Sequence, residues 1–129
     1  MYGLKVTVDC SMDEAEQKAI AALKEEGFGV LTEIDVKTVL KNKIDVERRP
    51  YKILGACNPK IANEVLNIEP DVGLLLPCNV VIREEEDGSI TVSMIDPEAM
   101  FTVVDNPAVA DKVADVKARF ERIMHAIGA

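Results

Sequence analysis

Two cysteines occupy matching settings, Gly55-Ala56-Cys57-Asn58-Pro59 and Leu76-Pro77-Cys78-Asn79-Val80, each at the end or bend of an apolar run and each followed by asparagine. Two thiols brought together can cycle between dithiol and disulfide, carry sulfur as a persulfide, or bind a soft metal ion. Cys57 precedes a helix start at Asn58-Pro59, where unpaired backbone N–H groups and the helix dipole favour a thiolate, so its pKa is predicted to be lowered. If the strands carrying the two motifs pair antiparallel, their ends bring Cys78 toward Cys57. Cys57, Asn58, Cys78 and Asn79 are then the candidate ligand-binding residues, and the two thiols the candidate catalytic pair.

Each residue also has a plainer role. Unpaired cysteine is among the most often buried side chains, and Cys78 shares its run with aliphatic residues. Asparagine before proline is a good helix cap, which suits Asn58. Asn79 is disfavoured in a strand interior and needs a partner, either a bulged backbone or a ligand. Cys10, beside the first helix cap, is assigned no role.

Other chemistries find little support. A closed zinc site takes four ligands from closely spaced pairs, yet there is no C-x-x-C and the single His125 lies near the far end of the chain, so no metal is expected unless a dimer axis doubles the cysteines. No Gly-x-Ser-x-Gly elbow occurs, and the seven glycines are scattered singly, which leaves no phosphate loop. A net charge of −8 repels a phosphate backbone, so no nucleic-acid partner is expected. No window approaches the roughly 18 apolar residues that span a bilayer, and no signal-peptide pattern opens the chain, so the expectation is a cytoplasmic protein without a membrane partner. Three cysteines, an odd number, argue against a disulfide framework.

The elements that must position the two motifs are clearer. A length of 129 residues with 48% apolar content predicts one domain, 1–129, around one core, and 4% aromatics means aliphatic packing. Tyr2 to Val8 alternates as a half-buried strand. Ser11-Met12-Asp13-Glu14 is a capping box opening a helix that Gly27 stops. Phe28 to Ile34 is a second strand, Asp35 caps a short amphipathic helix to Lys43, and Tyr51 to Ala56 is a third strand. After the short helix from Asn58-Pro59, the spacing predicts a long strand from Gly73 to Arg83 with Leu74, Leu76, Cys78, Val80 and Ile82 on one face, at an edge or bulged at Pro77. Glu84-Glu85-Glu86-Asp87-Gly88 reads as a solvated hairpin tip leading to a strand with Ile90, Val92 and Met94 inward. Asn106-Pro107 starts a final helix whose Val109, Val113, Val116, Phe120, Ile123 and Ile127 keep helical spacing, with His125 facing solvent.

At Leu54 to Pro59, Gly73 to Val81 and Ile95-Asp96-Pro97 the chain resembles the domain of unknown function 302 family over nearly its whole length. The resemblance implies an α+β fold of β-α-β(4)-α order, a five-stranded, mainly antiparallel sheet with two long helices on one face, similar in outline to the TATA-binding protein. It also implies a homodimer, for which the amphipathic segment 36–44 is a candidate contact. It implies no activity, and DNA binding does not travel with the outline, since function resides in sites.

Three functional readings stay open. The first is a small dimeric ligand-binding or regulatory domain with its pocket at the two Cys-Asn pairs and no cofactor. The second is a thiol-dependent redox enzyme or sulfur carrier with Cys57 as nucleophile and Cys78 as partner. The third is a structural dimer module without a small-molecule site.

Overall fold

The computed structural model describes residues 2–129. In chain order the elements are β1 (Gly3–Val8), α1 (Met12–Glu25), β2 (Gly29–Asp35), α2 (Val36–Ile44), β3 (Tyr51–Cys57), α3 (Pro59–Ile68), a 3-10 helix (Pro70–Leu75), β4 (Cys78–Glu84), β5 (Ile90–Ile95), α4 (Pro97–Phe101) and α5 (Pro107–Gly128). The strands form one sheet in the order β1-β5-β4-β3-β2, and every neighbouring pair is antiparallel. The β-α-β(4)-α arrangement is thus present, with α2, α3 and α4 as short additions.

The local signals act where their chemistry requires. Ser11 Oγ accepts the Glu14 N–H at 3.1 Å, the Asp35 carboxylate accepts the Thr38 N–H at 3.1 Å, and Asn106 accepts the Ala108 N–H at 3.0 Å. Each bond satisfies a helix N-terminal donor that has no partner within the helix. Gly88 takes a φ of +87° in the β4–β5 turn, a conformation that suits glycine.

Helices α1 and α5 lie on the same face of the sheet, in contact with each other, α1 against β4 and β5 and α5 against β1. Leu54 of β3, Val80 and Ile82 of β4, and Val92 of β5 are all at 0% exposure, facing Leu23 of α1 and Phe120 and Ile127 of α5. Burial of each such side chain contributes about 1.5–3 kcal/mol. Phe28 meets Phe120 edge to face, with centroids 5.4 Å apart, so the start of β2 is fastened to the last helix. On the same side Lys52 reaches Glu16 of α1 at 3.1 Å and Glu33 of β2 at 2.8 Å.

The long strand expected from Gly73 to Arg83 is corrected. Residues 70–75 form the 3-10 helix, the Leu76–Pro77 peptide bond is cis, and the strand begins at Cys78. Leu74 is 88% exposed and does not share the inward face of Val80 and Ile82. The cause is tertiary: Val72, Leu75 and Leu76 pack with Val65 of α3 and Val109 of α5 in a second apolar cluster. That attachment outweighs the strand periodicity of Leu74-Leu76-Cys78.

The opposite face of the sheet is not covered by α1 or α5. The register aligns Lys5, Ser93, Val81 and Ile53 in one row across it, and Thr7, Thr91, Arg83 and Tyr51 in the next. At one end Pro77 lies against Gly55, where an added Cβ would sit 2.8 Å from Pro77 Cγ and collide with Thr32 Oγ1. Gly55→Ala is expected to destabilise the fold by about 1–3 kcal/mol through overpacking. Gly73→Ala, where a Cβ meets nothing within 4 Å, should stay within about 0.5 kcal/mol of the parent. Urea unfolding of the two variants checks the contrast.

Candidate functional site

The register Ala56↔Cys78 places the end of β3 beside the start of β4 and so brings Cys57 next to Cys78. Both thiols border one crevice with Phe28, Ile61 and Val65, and its volume is about 30 Å³. That is room for a water molecule or two in apolar surroundings, a setting that tends to stay dry. Cys78 is buried and Cys57 half-buried.

Asn58 belongs to this junction as a structural clasp. Its carboxamide oxygen accepts the Ile61 N–H at 3.2 Å, and its nitrogen donates to the Glu26 carbonyl at 3.4 Å. The same carbonyl accepts Arg119 Nη1 at 2.9 Å, so α1, α3 and α5 meet at one backbone oxygen. Arg122 also pairs with the Glu26 carboxylate at 2.7 Å, which holds that carboxyl below its ordinary pKa.

The lowered pKa expected for Cys57 is corrected as well. Burial pushes its thiol up, and the α3 terminus that was to favour a thiolate already spends its Ile61 N–H on Asn58. Cys78 is pushed up to about 11, first by burial and then by the neighbouring charge that Cys57 would carry. Both sulfurs are therefore neutral thiols at pH 7 and weak nucleophiles. Among the described residues no three His, Cys, Asp or Glu side chains gather to hold a metal ion, and no helix is long and apolar enough to cross a membrane.

Asn79 lies apart from the other three. Successive side chains of a strand point to opposite faces. Cys78 and Val80 are buried under the helices, and Asn79 between them is exposed on the open face. There it borders a groove of about 520 Å³. Ser93, Val81 and Arg83 form part of the floor, and the segment Leu74 to Pro77 raises a wall beside them. Tyr51 also borders the groove, and Arg48, outside the lining, sits over its ring 5.1 Å from the centroid. Sequence reasoning passed over Lys5, Tyr51, Arg83 and Ser93 because polar residues at alternate strand positions read as a solvated face. Only the wall makes that face concave.

The family model "Domain of unknown function DUF302" matches residues 4–127. The chain belongs to the DUF302 family. It superposes on the crystal structure of the uncharacterized conserved protein DUF302 from Bacillus stearothermophilus with a TM-score of 0.91 and 32% identity, covering 98% of each chain. An uncharacterized protein of Aquifex aeolicus (strain VF5) is 31% identical over 94 residues, a match covering 64% of this chain and 63% of that protein. The chain thus spans just under two thirds of that relative's length.

The Cys78 environment of this DUF302 domain has a consequence for pH. An ordinary thiol titrates near 9.0, and this one near 11, so the folded state prefers the proton. The resulting stability is fully present below pH 9 and is lost as pH rises through about 11, an effect on the order of 2 kcal/mol. The stability advantage of the parent over Cys78→Ala should shrink by that amount between about pH 8 and 11 in urea titrations. Parallel curves across the interval would show that Cys78 does not titrate from a buried state.

Proposed function

We propose that this DUF302 domain is a small, dimeric ligand-binding module without catalytic machinery, holding its ligand on the open face of the sheet beside Asn79. The supporting observation is the contrast in space: about 520 Å³ over the open face against about 30 Å³ at the thiols. Ligand sites for small organic molecules are commonly 300–1,000 Å³ and mix apolar walls with a few polar groups. The open-face groove meets that description, with Leu75 and Met100 as apolar wall and Asn79 and Ser93 as hydrogen-bonding groups. Of the four candidate residues, this reading keeps Asn79 as a ligand contact and gives Cys57, Asn58 and Cys78 to the support beneath.

Amide-shift mapping with a mixed library of small organic molecules tests the site. Hits should move Asn79, Val81, Arg83 and Ser93 together, and Val81→Trp should abolish them by filling the groove. Hits that instead gather at Cys57 and Cys78 would refute the placement.

One observation favours the thiol-dependent reading as a second possibility, namely that Cys57 and Cys78 border the same crevice. It requires Cys57 to alkylate with iodoacetamide at neutral pH much faster than Cys10. The raised thiol pKa instead leads us to expect slow labelling of Cys57 in the folded protein.

The proposed dimer contact extends from α2 to its neighbour β2. Leu31, Ile34 and Val39 are 66%, 45% and 42% exposed, and Ile44 and Val46 are exposed as well. Isolated exposed apolar residues are ordinary, but five of them within positions 31–46, on an edge strand and the helix and loop that follow it, favour a surface for association. Sedimentation at micromolar concentration should give twice the single-chain mass, and Leu31→Lys combined with Val39→Lys should halve it. A single-chain mass for the parent would rule the dimer out.

A further inference from the structure

The open-face groove differs in chemistry from one end to the other, and the difference specifies a ligand class; this inference rests on the ligand-binding reading above. In a chain of net charge −8, two cations border the groove, Lys5 of β1 and Arg83 of β4. They stand on strands separated only by β5 and one row apart along them, about 12 Å from each other at the backbone. Ser93 lies in the same row as Lys5, paired with it on one side and with Val81 on the other, and Arg83 stands in the next row. Lys5 has no ion-pair partner among the described residues. Arg83 engages Glu85 through Nε, and its terminal nitrogens have no hydrogen-bond partner among those residues, so the guanidinium edge remains open. An open guanidinium edge fits a carboxylate with two parallel hydrogen bonds.

The other end is aliphatic. Leu74 is 88% exposed although it belongs to a segment that is fastened to the fold through Leu75 and Leu76. Ile95 and Met100 extend the same wall. A rigid wall that presents a leucine to the groove while its neighbours anchor it offers apolar contact at little ordering cost.

We propose that the groove binds an amphipathic organic carboxylate, its head held by Lys5 and Arg83 over Ser93 and its apolar body lying against Leu74, Ile95 and Met100. The neutral thiols under the sheet take no part. Glu85 is the intramolecular carboxylate already on Arg83, and the ligand's carboxylate takes the guanidinium edge that Glu85 leaves free.

Three single-chain amphiphiles with the same tail test the assignment: decanoate, decanol and decyltrimethylammonium, each below its micelle concentration, titrated into the isotopically labelled protein. Decanoate should move the amides of Lys5, Val81, Arg83 and Ser93 and the methyl groups of Leu74 and Met100. It should bind roughly ten-fold or more tightly than decanol, the ratio a charge-assisted hydrogen bond supports. Lys5→Gln with Arg83→Gln should reduce decanoate to the affinity of decanol without changing decanol itself. Equal affinities of the three amphiphiles with shifts in the groove would overturn the carboxylate assignment and leave the ligand-binding reading standing. Shifts confined to Leu31, Ile34 and Val39, or none at all, would overturn both. The parent comparison stands on its own should the double variant fail to give a folded spectrum.

Discussion

Successive side chains leave a strand on opposite sides, and in β4 that rule acts on a sheet whose two long helices lie on one face. Cys78, Val80 and Ile82 go under α1 and α5, while Asn79, Val81 and Arg83 go to the uncovered side. The separation of Cys78 from Asn79 follows from this partition. It keeps the thiol in an apolar medium, where the charged form is disfavoured, and it places the carboxamide next door in contact with solvent. A slip of one residue between β3 and β4 would exchange the two environments, which is why the register Ala56↔Cys78 matters more than any single contact.

Concavity on the uncovered side comes from outside the sheet. The segment from Pro70 to Pro77 is held by Val65 and Val109 on one flank and rests on Gly55 on the other. Because Gly55 has no side chain, Pro77 can lie directly on β3 and the leucines before it stand as a wall. The same stretch therefore joins the second apolar cluster to the groove, and the placement of Leu74 depends on how well Val72 and Leu75 are packed. At the thiol end the Glu26 carbonyl ties α1 to α3 and α5 through Asn58 and Arg119.

Electrostatics divides the surface in the same way. About half of the basic side chains are engaged with carboxylates, among them Lys52 with Glu16 and Glu33, Lys117 with Asp96 and Glu98, and Lys112 with Glu64. Exposed pairs of this kind contribute little stability, but they neutralise the cations they occupy. At the groove, Lys5 and the outer edge of Arg83 are left without a carboxylate, as are Lys18, Lys24, Lys37, Lys43, Arg48 and Lys60 elsewhere among the described residues. The β2–α2 arm is different again, with an apolar surface at a sheet edge where backbone groups of β2 have a partner on one side only.

Much of the architecture was legible from local chemistry. The Ser11, Asp35, Asn58 and Asn106 caps, the turn at Gly88 and the apolar stripe of α5 each act within a few residues, so the sequence alone specifies them. The family resemblance added the arrangement of the whole. Only the tertiary structure decided that Leu74 and Leu76 leave the strand, since packing against Val65 and Val109 lies far from them along the chain. It also separated Asn79 from Cys57, Asn58 and Cys78. The alternation of β4 was visible in the sequence, but which side the helices would leave bare, and what would rise beside it to form a groove, are long-range facts that no local period encodes.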